Sequence, residues 1–190
     1  MENATGACVR YVVDTKASQF QVQAFASGLI SAVAHSPRIA VRDWSGEAQF
    51  VPGTFNDAQL KVTVRSSSLE VLDELRDNDR REIHRVMNQE VLESPRYPEI
   101  RYQSKRVIAE KQNETLYRMK VEGNLSLHGM TNGLNLNFQL AMGVDSLRAY
   151  GDFLILQPDY GIKVASIAGA TLKLRDELKF TFYVVARKQV

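Results

Sequence analysis

The sequence predicts an all-β domain: a closed antiparallel barrel of about eight strands, with one amphipathic helix. Three observations predict it. In most hydrophobic segments the apolar side chains recur at every second position. Residues that favour chain reversal sit between those segments, and one stretch alone switches to a helical period. Alternation of this kind gives each strand one greasy face. Closing the sheet on itself hides all those faces and leaves no unpaired edge.

The elements follow in order. "FQVQAFA" sets Phe20, Val22 and Ala24 against Gln21 and Gln23. "RIAVRDWSGEAQF" is less regular but carries the series Trp44, Gly46, Ala48 and Phe50, which places Trp44, the only tryptophan, in a core or a lumen. Pro52-Gly53 with Asn56-Asp57 marks a reversal, after which "AQLKVTVRS" gives Leu60, Val62 and Val64 against Lys61, Thr63 and Arg65. The acidic run "LDELRDNDRRE" reads as a charged approach to a helix, with Asp73, Glu74, Asp77 and Asp79 in water, rather than as paired catalytic carboxylates.

The period then changes. In "DRREIHRVMNQEVLE", residues 79–93, Ile83, Val86, Met87 and Val91 fall on one helical face, and Asp79 followed by Glu82 resembles a capping box. Pro95 and Pro98 end that helix. "EIRYQSKRVIA" is an irregular apolar strand, turned at "EKQNE" into "YRMKVEGNLSL", which alternates through Tyr117, Met119, Val121, Gly123, Leu125 and Leu127. Asn132-Gly133 predicts a two-residue hairpin, because both positions tolerate positive φ. Beyond it "GLNLNFQLAMG" puts Leu134, Leu136, Phe138, Leu140 and Met142 opposite Asn135, Asn137, Gln139 and Ala141. "AYGDFLILQ" is apolar on both faces, so its inward phase stays open. "LKFTFYVVA" closes the sheet through Leu178, Phe180, Phe182, Val184 and Ala186.

Composition narrows the function. A chain of 190 residues with 44% apolar and 24% charged side chains supports one domain over 1–190, and it shows no repeat, low-complexity tract or flexible linker. The 24 Lys and Arg against 22 Asp and Glu are scattered, which argues against a nucleic-acid partner. Cys8, the single cysteine, excludes an internal disulfide and reads as a small apolar residue. There is no run long enough to span a bilayer and no secretion leader, so the expectation is a cytoplasmic protein without stable membrane insertion, or a periplasmic one if the chain is truncated. The sequons "NAT", "NET" and "NLS" carry no weight in that setting.

Catalytic signatures are missing: there is no Gly-rich phosphate loop, no G-x-S-x-G elbow and no H-E-x-x-H pair. The expectation is a protein that is not an enzyme, with no cofactor and no metal. Of the three histidines, His84 falls on the charged helix between Arg81 and Arg85 and reads as solvated. His35 and His128 sit at strand ends, where each is either a head-group contact at a barrel mouth or a turn histidine bonded to backbone carbonyls.

At this point the residues carry a resemblance. The order "YVVDTKASQFQVQAF", "AHSPRIAVRDWSGEAQF", "VRSSSLEVLDELRDNDRREI", "RYPEIRYQS", "VEGNLSLHGMT" and "DYGIKV", with a closing strand after "LRDELKF", resembles the YceI-like family of lipid-binding proteins over nearly the whole chain. The resemblance implies a lipocalin-like barrel whose lumen holds a long isoprenoid or related acyl chain, often in a homodimer, and it implies no catalytic residues. The lumen lining would comprise Phe20, Val22, Trp44, Met119, Val121, Leu134, Leu136, Phe138, Leu140, Phe153, Ile155, Phe180 and Phe182, with His35 and His128 as head-group candidates. The favoured reading is a non-catalytic carrier for a polyisoprenoid, an isoprenoid quinone or a fatty-acyl lipid. The alternative is a filled barrel that serves as an interaction or assembly module, with its helix or an exposed strand as the partner face. A lipid enzyme using His35 and His128 ranks last. Hollow and filled barrels share one strand pattern, so periodicity does not separate them.

Overall fold

The computed structural model describes residues 7–27, 37–51, 54–55, 57–163 and 173–189. Its strands are β1 (Val9–Val13), β2 (Gln19–Ser27), β3 (Arg38–Val41), β4 (Trp44–Phe50), β5 (Gln59–Arg65), β6 (Leu69–Val71), β7 (Glu99–Lys111), β8 (Leu116–Leu127), β9 (Met130–Met142), β10 (Ser146–Leu156) and β11 (Lys173–Lys188). One helix, α1 (Asp77–Val86), runs on into a π-helical turn at Met87–Val91.

The strand segments make eight staves. β1 and β2 lie end to end against β11, β4 and β3 lie end to end against them, and β5 and β6 form the next stave. β7 to β11 complete an up-and-down antiparallel ring, which the β1–β11 pairing closes. The all-β antiparallel barrel read from the sequence is therefore the fold, but three of its staves are broken. At the first break the hydroxyl of Ser18 donates to the Asp14 carbonyl at 2.7 Å and accepts the Val185 N–H at 2.9 Å, which stands in for a missing ladder rung.

Two local expectations are corrected. The helix spans 77–91 rather than 79–93, and its N-cap is Arg76, with no side-chain cap bond. Asp79 is therefore no cap: it lies with Asp77 in the first turn, where negative charge suits the helix dipole. The start is fixed instead by Arg80, which donates to the carbonyls of Val71 at 2.8 Å and Asp73 at 3.1 Å. The helix stops well before Pro95. Leu92 N–H bonds back to Met87 and Glu93 turns to φ 45°, so a local backbone change ends it rather than proline.

The second correction moves a turn. Asn132 and Gly133 lie inside β9, and the chain reverses at His128–Gly129, flanked by the pair Leu127↔Met130. Both turn residues take positive φ, 52° and 77°, as a type I′ hairpin requires. Gly129 is selected twice over, because a β-carbon there would also lie 2.6 Å from the Tyr97 ring. The reversal at "EKQNE" lies as expected between β7 and β8, where Asn113 Oδ1 accepts the N–H groups of Thr115 and Leu116 at 3.0 and 2.9 Å. Pro52, Gly53 and Asn56 lie outside the described residues.

Candidate functional site

The inward faces of the staves enclose a hollow of about 460 Å³. That is the size of a small-molecule site. The strand pleat accounts for the lining. Trp44 and Phe50 on β4, Leu60, Val62 and Val64 on β5, Met119, Val121 and Leu125 on β8, and Leu134, Leu136, Phe138 and Leu140 on β9 all fall on the same alternating phase and all line it. On β10 the open phase resolves with Phe153 and Ile155 inward, while Leu154 and Leu156 stand 50% and 46% exposed outside. Every lining residue named from the sequence borders this hollow, including Phe20, Val22, Phe180 and Phe182.

Rings form a belt across the middle. Phe153 stacks on Phe180 at 4.8 Å, Phe20 meets Phe180 at 6.1 Å and Trp44 at 5.5 Å, and Phe138 meets Phe182 edge-on at 5.8 Å. A second group fills the end away from the helix. Tyr11, Phe50, Phe55 and Tyr117 follow one another at 5.5, 5.0 and 5.2 Å between centroids, with Tyr11 in β1, Phe50 at the end of β4 and Tyr117 at the start of β8. The opposite end is roofed by the helix, whose Ile83, Val86, Met87 and Val91 all face the hollow. The amphipathic stripe that the sequence displayed is thus spent on the lumen, which takes it away from any partner protein.

The sequence reading missed several lining residues, of which Tyr102 is the most telling. Its hydroxyl lies 3.2 Å from the Leu134 carbonyl and 3.3 Å from that of Val121, to which it donates, and its ring lies over Gly123, where a β-carbon would overlap it. Burial pushes the Tyr102 phenol up to about 12. The lining is otherwise almost wholly apolar. Its acidic and amide side chains are Glu47, Gln59, Asp73, Glu74 and Gln157, and no basic side chain borders the hollow among the described residues. Glu47 pairs with Arg10, and Asp73 accepts the Arg38 N–H at 2.9 Å. Gln157, only 4% exposed, donates from Nε2 to the Arg175 carbonyl at 3.1 Å.

His128 is not among the lining residues. Its Nδ1–H donates to the Tyr160 carbonyl at 3.1 Å, and its ring packs on Tyr97 at 4.7 Å. Nε2 lies 3.1 Å from Glu93 Oε2 and makes no hydrogen bond. This is a turn histidine that fastens the β8–β9 hairpin to the segment after β10. His84 stays on the exposed helix surface, where Nδ1 meets the Asn88 amide at 3.1 Å. His35 lies outside the described residues.

The sequence profile of the YceI-like domain matches residues 11–186. No curated protein shows significant sequence similarity to the chain. Among solved structures, the chain is similar to BcnA of Burkholderia cenocepacia, with a TM-score of 0.70 at 15% identity over 91% of this chain and 98% of that one. It is also similar to a polyisoprenoid binding domain from Saccharophagus degradans implicated in plant cell wall breakdown, with a TM-score of 0.66 at 13% identity over 94% and 98% of the two chains. A YceI protein of Campylobacter jejuni superposes with a TM-score of 0.62 at 17% identity over 83% and 88%. At such identities the likeness is one of fold.

Proposed function

The chain belongs to the YceI-like domain family, and from that membership and its unfilled lumen we propose that it is a non-catalytic binding protein that holds one long apolar chain, a polyisoprenoid, an isoprenoid quinone or a fatty-acyl lipid. The observation that carries this reading is the apolar hollow of about 460 Å³. As a packing fault it would be strongly destabilising, because apolar space left unfilled inside a protein costs free energy that grows with its volume. A barrel with such a space is better explained by an occupant than by poor packing. The filled-barrel alternative lacks the interlocked lumen that it requires.

The residues bind by burial. Each methylene withdrawn from water contributes about 0.8 kcal/mol, so a chain of several isoprene units reaches high affinity through apolar contact alone. The Phe20, Phe153 and Phe180 belt sets the width of chain that passes, and Phe50 and Phe55, backed by Tyr11 and Tyr117, set how far it reaches. The name of the Saccharophagus degradans neighbour supports an isoprenoid as the occupant.

Organic extraction of purified protein followed by mass spectrometry tests the reading. We expect a long apolar molecule near one per chain. An empty extract, together with no binding of a long-chain alcohol to the solvent-stripped protein, would overturn it.

A further inference from the structure

The barrel wall is not paired along its whole length. β8 and β9 pair from Leu116↔Ala141 to Leu127↔Met130, and β10 pairs with β11 from Ser146↔Arg187 to Leu156↔Glu177. The rungs between β9 and β10, however, end at Gly151↔Phe138, although β9 reaches back to Met130 and β10 runs on to Leu156. In an unbroken register Ile155 would face Leu134 and Leu156 would face Gly133. Instead, those four residues border a hollow on the outside of the wall, together with Asn132, Leu154, Asp159, Tyr160 and Glu177.

Three features mark this seam. Leu134 and Ile155 border both the outer hollow and the lumen, so both stand between the two spaces. Outside it stand Leu154, Leu156 and Met130, at 50%, 46% and 44% exposed, an apolar cluster where a barrel exterior is ordinarily polar. The seam is also bounded at both ends. At its foot Gly151 permits the last rung, since a β-carbon there would lie 2.8 Å from Phe138 Cβ. At its head two polar clasps cross from the β8–β9 hairpin to the turn after β10: Asn132 Nδ2 donates to the Asp159 carbonyl at 2.6 Å, and His128 Nδ1–H to the Tyr160 carbonyl at 3.1 Å.

We propose that the seam between β9 and β10 is a lateral portal through which a long apolar chain passes between the outer hollow and the lumen. The proposal rests on the lumen as a binding site and names the route to it. Among the described residues, the helix borders one end of the lumen and the rings of Phe50 and Phe55 the other, and the seam offers a route through the wall between them. Opening the seam breaks no β9–β10 rung above Gly151; it needs Leu134 and Ile155 to turn aside and the clasped head to give, so it disturbs less structure than parting a paired seam. An apolar chain gliding over Leu154 and Leu156 stays out of water on the way in.

Trp44, the chain's only tryptophan, lines the lumen and reports occupancy. The probe is a long-chain alcohol brominated near its terminal methyl, which quenches Trp44 on binding; stopped flow gives the uptake and release rates, and titration the Kd. Gly133 lies outside the lumen, and a β-carbon there would meet nothing within 4 Å, so Gly133→Phe fills the outer hollow without touching the binding wall. A portal sets the barrier and not the end states, so we expect Gly133→Phe to slow uptake and release alike by roughly tenfold, with Kd unchanged. Asn132→Ala, which removes the shorter clasp, speeds both rates and decides the matter should Gly133→Phe fail to fold. Quenching in the wild type with rates unaltered in the folded variants would sink the portal and leave the lumen reading standing. No quenching in the wild type would overturn both.

Discussion

At the scale of single residues, Tyr102 joins packing to electrostatics. Its phenol is 7% exposed and held up at about 12 by burial, whereas in the unfolded chain it ionises near the ordinary value of 10. The raised value means that its stabilising contribution is fully present below pH 10 and is lost as pH rises from 10 through 12. The loss amounts to about 2 kcal/mol over that window. Urea unfolding of the wild type against Tyr102→Phe, followed from pH 8 to 12, should show the variant about 1 kcal/mol weaker at pH 8, for want of the hydroxyl's bonds, and flatter above pH 10. Parallel pH profiles would refute this account. Tyr102 escaped the sequence reading for a physical reason. The β7–β8 register slips between Ser104 and Arg106, so the inward phase passes from Ile100 and Tyr102 to Val107 and Ala109. A bulge of one residue erases the alternation by which such a strand is recognised.

At the scale of elements, the strands were legible because a half-buried strand must alternate, and the helix because its apolar stripe must repeat every three to four residues. Their ends were less so. The β8–β9 reversal was read at Asn132-Gly133 from dipeptide preference, yet it lies at His128–Gly129, where packing against Tyr97 and the Tyr160 carbonyl holds a histidine at positive φ. Two glycine substitutions separate the alternatives. Gly129→Ala should lower stability by about 1–2 kcal/mol, since alanine is strained at that φ and its methyl would push into Tyr97. Gly133→Ala, in open strand, should be neutral or stabilising by up to about 1 kcal/mol. Chemical denaturation midpoints check both, and a reversed ranking would return the turn to Asn132-Gly133.

At the scale of the whole molecule, the barrel is a wall around a space, and its stability should depend on what fills that space. Anything that binds the folded form alone raises stability by mass action. A ligand at a hundred times its Kd adds about 2.7 kcal/mol, or roughly 5–10 °C in Tm for a chain of this length. Solvent-stripped protein should therefore melt lower than protein as purified, and a long-chain alcohol should restore the difference in a calorimetric scan. A Tm indifferent to both treatments would mean that the lumen holds nothing.

The sequence by itself determined the class of fold, the eight staves, the helix and the residues on the regularly alternating apolar faces, because burial acts on local periodicity and periodicity is written in the order of side chains. It left undecided the inward phase of Phe153 and Ile155, where both faces of the strand are apolar, and the place of Tyr102, behind a register slip. Only the tertiary structure decided that the inward faces of the staves leave a hollow between them, that the helix borders that space, and that β9 and β10 part above Gly151. Those outcomes depend on the curvature of a closed sheet and on distances between residues far apart in the chain. A hollow is a property of where side chains end, and no single strand encodes it.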